Sequence, residues 1–160
     1  MRKSIDGRDV HKFHPRNVLL VAITQHDEEW YEAEVAHDVD HPFFFEHPLD
    51  HVPAMFLVEA GRQLGIAIAH LFLGVPRDIL FATESFDIRF TAFAELSAPI
   101  TIRARITDRR YRKGELTHLR LDGVFHQAGV SLGTMGGSCL MLKPAVWHRY
   151  RKTERAKMPE

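Results

Sequence analysis

The 160 residues read as an α+β domain in which an antiparallel sheet wraps around one long central helix. Three observations predict this. Two short β-patterned runs come first, an apolar stretch of helical period follows, and four strand-patterned segments joined by short connections complete the chain.

Taken in order, residues 1–17 are polar and read as an arm leading into the fold. Val18 to Thr24 (VLLVAIT) is apolar and β-branched, and Trp30 to Ala36 (WYEAEVA) alternates apolar and acidic positions, so the two read as paired strands. The segment HDVDHPFFFEHPLDHVP carries three prolines and four histidines in 17 residues, which breaks regular structure and predicts a shaped loop. Pro53 suits the start of the helix, where its missing N–H costs nothing, and Gly74-Val75-Pro76 stops the helix after Leu73. Strands are then expected over 82–93, 100–108, 116–126 and 131–142. In the second of these, Ile100, Ile102, Ala104 and Ile106 share one face, and Thr101, Arg103, Arg105 and Thr107 the other, as in a half-buried strand. Arg112 to Glu115 and Gln127 to Gly129 are short enough for hairpins. A lipocalin-like or cystatin-like sheet is the alternative, but neither buries a helix so apolar on nearly all sides. One domain is expected over residues 1–160, with its core at about 11–145 and a basic tail at about 146–160.

Composition narrows the function classes. Twenty-one basic residues balance 21 acidic ones, and 45% of the chain is hydrophobic, so charge announces neither a nucleic-acid nor a membrane partner. A single cysteine, Cys139, excludes an intramolecular disulfide framework and fits a reducing compartment. The start MRKSIDGRDVHKF has no apolar segment of signal-peptide type, and a cytoplasmic location is expected. The run from Val52 to Leu73 approaches the length of a membrane span, but Glu59, Arg62 and Gln63 at its centre argue against a transmembrane reading.

Those three polar residues are the informative ones. At 100° per residue, Glu59, Arg62, Gln63 and His70 fall within a band of roughly 100°, while Met55, Phe56, Leu57, Val58, Leu64, Ile66, Ile68 and Leu71 cover most of the rest. Gly61 and Gly65, one turn apart, would let a sheet approach closely. Glu59 and Arg62 can form an i,i+3 ion pair at a rim, worth a few tenths of a kcal/mol. With apolar neighbours on both flanks, Glu59 is also a candidate acid/base group, because a desolvated carboxylate needs a partner or a task.

The stretch HPFFFEHPLDHVPAMFLVEAGRQ resembles the signature of the A-factor (γ-butyrolactone) biosynthesis hot-dog family, a His-Pro-x-Asp-His-x-Pro loop followed by Leu-x-Glu-Ala-x-Arg-Gln. His11-Lys12, Ala69-His70, Gly74-Val75-Pro76 and the aromatic-rich strand after them extend the similarity over most of residues 11–145. More distantly it is similar to the β-hydroxyacyl-acyl-carrier-protein dehydratases, whose active-site histidine and glutamate would match His47 and Glu59, with Gln63. The spacing from His47 to Glu59 is shorter than in that pattern, and Ala54 stands where the family's loop ends in glycine. Familiar family members carry two hot-dog halves, so the resemblance implies a homodimer with sites between subunits.

The resemblance further implies transfer of a β-ketoacyl group from an acyl carrier protein or CoA to a small hydroxyl acceptor such as dihydroxyacetone phosphate. No permanently bound cofactor is expected beyond the phosphopantetheine-linked substrate. Glu59 would take the hydroxyl proton, Arg62 would pair with phosphate, and backbone N–H groups at the helix start, around Ala54 and Met55, would bind the thioester oxygen. His47 would share proton transfer or position the alcohol; His51 is a second candidate for that role, and Gln63 and Asp50 complete the site. Asp50 reads more readily as a helix cap than as a partner that orients His51. His41, like the other loop histidines, reads first as a hydrogen-bonded structural residue. No metal is expected, since His37, His41, His47 and His51 with Asp38, Asp40 and Asp50 sit in a proline-broken loop. Arg109-Arg110-Tyr111-Arg112-Lys113 and the tail from Lys143 to Lys157 read first as solvated basic surface, next as a docking site for an acidic carrier protein, and last as a nucleic-acid surface. Dehydration, thioester hydrolysis and a non-catalytic acyl-binding scaffold are the competing functions.

Overall fold

The computed structural model describes residues 1–36 and 38–156. In chain order the elements are β1 (Arg2–Ser4), β2 (Leu20–Gln25), β3 (Trp30–Val35), α1 (Ala54–Phe72), β4 (Leu80–Phe90), β5 (Ile100–Arg112), β6 (Glu115–Gln127), β7 (Val130–Leu142) and α2 (Pro144–Arg155). The strands form one antiparallel sheet in the order β1-β2-β3-β5-β6-β7-β4. The connection through α1 carries the chain to the far edge, where β4 lies against β7.

The long helix is the centre of this arrangement. Phe56, Leu57, Ala60, Leu64, Ala67 and Ile68 of α1 share one buried core with Tyr31, Ile102, Leu119, Leu121 and Phe125 from the sheet. By length and composition α1 could cross a bilayer, but these side chains are buried inside the chain's own core. Ile100, Ile102, Ala104 and Ile106 are buried while Arg103, Arg105 and Thr107 are exposed, so the period-two pattern of β5 sets its register. The glycines of α1 allow the close approach: a Cβ on Gly61 would lie 3.0 Å from Met135 Sδ, and one on Gly65 would lie 3.6 Å from Leu121 Cδ1. Lys113-Gly114 and Ala128-Gly129 all have positive φ, the two-residue turn geometry that matches strand twist. Leu73 N–H donates to Ile68 O and Val75 N–H to Ala69 O around Gly74 at φ 70, which closes the helix.

Three expectations change. The arm is built into the fold: β1 pairs with β2, Gly7–Asp9 and Pro15–Asn17 form single 3-10 turns, and Val10 and Asp9 are buried. Such short elements lack the length for a periodic signal. The tail from 144 to 155 is a helix, α2, with none of its residues buried. Strand ends also shift: β5 runs on to Arg112 and β4 starts early, at Leu80, but stops at Phe90, short of its expected end. Paired backbone continues through exposed positions where side-chain alternation fades.

Candidate functional site

The polar stripe of α1 converges on Glu59. Arg62 donates from Nε to Glu59 Oε2 at 2.7 Å and from Nη2 to Oε1 at 2.8 Å, and Lys12 Nζ stands 2.8 Å from Oε1. Gln63 Nε2 donates to the same Oε1 at 2.9 Å and to Asn17 O at 2.8 Å, while Gln63 Oε1 accepts the Leu19 N–H at 2.9 Å. Gln63 is fully buried, so it replaces backbone partners that Asn17 and Leu19 would otherwise lack. Glu59 keeps 21% of its side chain exposed and Arg62 36%, which places the pair at a rim open to a ligand. Burial alone would raise the Glu59 carboxyl, but hydrogen bonds from Arg62, Lys12 and Gln63 outweigh it and bring it from 4.5 to about 2. The Glu59 partner in turn raises Arg62.

Lys12 reaches this point because the arm is pinned. His11 takes a positive φ of 57°, Lys12 N–H donates to Gly7 O at 2.7 Å, and Arg77 is paired with the buried Asp9. His70 Nδ1 bonds Val75 O at 2.8 Å, so that nitrogen carries the proton and His70 Nε2 accepts. His11 Nε2 then donates to His70 Nε2 at 2.9 Å, and both rings pack on Phe81.

Three hollows surround this stripe. Lys12, Asn17, His41, Phe43, Phe44, Met55, Val58 and Glu59 line a cleft of about 380 Å³. Arg62 instead faces a small apolar cavity of about 60 Å³, bounded by Gly61, Gly65, Phe81, Phe86, Leu121 and Met135. A third hollow, of about 430 Å³ at the start of α1, is lined by His51, Ala54, Leu57, Phe90 and Phe93. Glu59 and Arg62 thus form a bridge between the cleft that holds Lys12, Asn17 and His41 and the apolar cavity.

The predicted residues divide among these places. Glu59 and Met55 belong to the first cleft, Arg62 to the apolar cavity, His51 and Ala54 to the third hollow, and Gln63 to the buried brace. His47 is exposed, makes no hydrogen bond to a described residue and lines none of the three. Pro53 caps α1 without any side-chain hydrogen bond, and Asp50 bonds His51 Nδ1 at 2.7 Å, so Asp50 orients an imidazole and does not cap the helix. Pro53 occupies the N-cap position, and Asp50 stands three residues before it. Among the described residues no group of three or more His, Cys, Asp or Glu side chains is placed to hold a metal ion; His37 lies outside them. Cys139 lines the apolar cavity, where burial, then Glu84, push its thiol up to about 11.

The histidine that shares the Glu59 cleft is His41. It is 2% exposed, accepts the Phe43 N–H on Nδ1 at 3.2 Å and therefore donates from Nε2 to Asn17 Oδ1 at 3.2 Å. Its loop is anchored by Phe44 and Phe45 against Phe56, and by Arg16 bonded to Asp38 at 2.9 Å. Lys12, Asn17 and His41 carry no periodic signal. The nearest cue to Lys12 is its place in the His11-Lys12 pair.

An antiparallel sheet curled over a long apolar helix is the hot-dog fold. The profile of the A-factor biosynthesis hotdog domain matches residues 1–143, and the chain belongs to that family. Two curated relatives are both named 2-oxo-3-(phosphooxy)propyl 3-oxoalkanoate synthase. The one from Streptomyces coelicolor is 34% identical over 76% of this chain and 34% of its own length, and the one from Streptomyces virginiae is 37% identical over 59% and 29%. The chain therefore spans about a third of the length of these relatives. Among solved structures, the dehydratase heterocomplex ApeI:P of Xenorhabdus doucetiae superposes with a TM-score of 0.66 at 14% identity, covering 86% of this chain and 91% of that one. A thioesterase from Haemophilus influenzae gives 0.58 at 12% identity, covering 79% and 80%. These likenesses establish the fold.

Proposed function

We propose that the protein is an acyl-thioester enzyme of the A-factor synthase type, acting in the cytoplasm as a homodimer. It moves a β-ketoacyl group from an acyl carrier protein or CoA to the hydroxyl of a small phosphorylated acceptor such as dihydroxyacetone phosphate. The observation that carries this reading is one carboxylate, Glu59, clamped by two cations, Lys12 and Arg62, between the cleft that holds His41 and an apolar cavity. The names of the curated relatives supply the chemical class, a 3-oxoalkanoate ester that carries a phosphooxy group.

The arrangement suits a base released by its substrate. A carboxyl held at about 2 is a poor proton acceptor near neutrality. An incoming phosphate competes for Lys12 and Arg62, and with these donors turned away, burial moves Glu59 back up. Glu59 then takes the acceptor's hydroxyl proton, the alkoxide oxygen attacks the thioester carbon, the C–S bond breaks, and the thiolate leaves with that proton as the free thiol. His51, held at Nδ1 by Asp50 in the hollow at the helix start, is a second positioned imidazole in place of the exposed His47. The free N–H groups near Ala54 and Met55 are available to the thioester oxygen, because no side chain caps α1. The edge strand β4 pairs with β7 alone among the described residues and exposes Phe86 and Phe90, which supports a dimer joined there.

Incubating the purified protein with 3-oxoacyl thioesters, with and without dihydroxyacetone phosphate, tests the reading by mass spectrometry. Ester formed only with the acceptor is expected; free acid would mean hydrolysis, and unchanged thioester would mean an acyl-binding scaffold. Lys12→Met should raise KM for the phosphorylated acceptor by about tenfold, the worth of one charge-assisted contact, with kcat less affected. Glu59→Gln should remove turnover.

A further inference from the structure

We propose that the end of the molecule formed by the β5–β6 hairpin and α2 is a docking surface for an acidic helical protein, the carrier that bears the acyl group. This rests on the thioester reading above for the identity of the partner, but the surface itself is read from charge and shape.

The chain has no net charge, yet its charges are segregated. Residues 109–115 and 143–156 together hold nine of the 21 basic side chains and two of the 21 acidic ones, leaving the rest of the chain with 12 against 19. In the hairpin, Arg110 is taken by Asp108 at its base, while Arg109, Arg112 and Lys113 have no carboxylate partner among the described residues. Lys143 bonds Glu115 at 2.7 Å and so ties the hairpin to the start of α2. Beyond it, α2 presents Arg149, Arg151, Lys152 and Arg155 along a helix with no buried residue. A helix with no fully buried residue gains little from the fold it belongs to, and the family profile stops at residue 143, just before it.

Between hairpin and helix lies a groove of about 510 Å³. Leu73, Val75, Ile79, Leu116, Leu140 and Val146 line it, with Arg112, Lys113 and the paired Lys143 and Glu115 beside them. An apolar floor with cationic edges matches an amphipathic helix whose polar face is acidic. A concave surface of this kind receives a helix more fully than it receives a flat bilayer. Leu140 in the groove and Cys139 in the cavity are successive residues of β7, opposite His118 and Leu119 of β6, and so face opposite sides of the sheet. At 1.5 Å per residue along α1, Leu73 at the groove is about 16 Å from Arg62, a distance that an extended pantetheine arm covers.

The test is direct binding of holo acyl carrier protein from bacterial fatty-acid synthesis, followed by fluorescence anisotropy at low and physiological salt. The two double variants are Arg112→Glu/Lys113→Glu and Arg149→Glu/Arg151→Glu, all at exposed positions away from Glu59. Each should weaken carrier binding about tenfold or more and flatten its salt dependence. Turnover of an acyl-CoA donor should stay at the parent level, which also shows that the variants fold. Carrier affinity unchanged in both variants would overturn the proposal, and so would binding confined to phosphatidylglycerol vesicles with none to the carrier. Loss of carrier binding in the variants of a protein that forms no ester would uphold the docking surface and refute the synthase reading. Ester formation with carrier affinity indifferent to the substitutions would do the reverse.

Discussion

Glu59 joins the helix to everything around it, and its neighbours decide what it does. Two cations and an amide converge on one carboxylate, so removing the centre leaves the cations without their counter-charge. Glu59→Gln leaves Lys12 and Arg62 half-buried side by side, and a loss of about 1–3 kcal/mol is expected in urea denaturation. Gln63→Leu should cost about 2–4 kcal/mol, because it orphans the Leu19 N–H and the Asn17 carbonyl at a fully buried site. The depressed carboxyl also has a pH signature. Its folded value lies below the ordinary 4.5, so its stabilisation is complete above about 4.5 and is lost as the pH falls through about 2. With screening at the rim this amounts to about 1–2 kcal/mol. The urea midpoint of the parent should therefore fall more steeply with acid than that of Glu59→Gln.

At the scale of elements, the arm is held in part by the hydrogen bond between His11 and His70. Burial first, then His70 and Arg62, lower His11 from its ordinary 6.5. The folded arm thus favours the uncharged ring, and its contribution is complete above about 6.5 and declines as the pH falls through the lowered value. Amide exchange in residues 9–13 should accelerate on acidification relative to β6, and His11→Leu should remove that difference. The glycine face of α1 is a second constraint. Gly61→Leu would drive a side chain into Met135 and Phe86, and a cost of about 2–4 kcal/mol in thermal or urea unfolding is expected.

For the whole molecule, the two sheet edges differ. β1 has three residues, and β4 has 11 with Phe86 and Phe90 exposed. A long apolar edge invites pairing with a second copy. Sedimentation should give a particle of twice 18.4 kDa, and Phe90→Lys should shift it toward the monomer. The groove by α2 opens between β4's lead-in at Ile79 and the β5–β6 hairpin, and it leaves the exposed Phe86 and Phe90 free for that partner.

How much of this the amino-acid order carried depends on the range of the interaction. Periodicity and turn chemistry act over a few residues, so the apolar helix, the alternation in β5 and the Gly114 and Gly129 turns were legible, as was the Glu59–Arg62 pair one turn apart. Lys12, 47 residues before Glu59, His41 in a loop without period, and the turn of His47 to solvent were not. The sequence by itself determined an oily helix with a polar stripe inside an antiparallel sheet, because burial follows local pattern. Only the tertiary structure decided that the stripe's carboxylate is held by a cation from the arm, because closing that loop depends on how the arm, the helix and the sheet pack together.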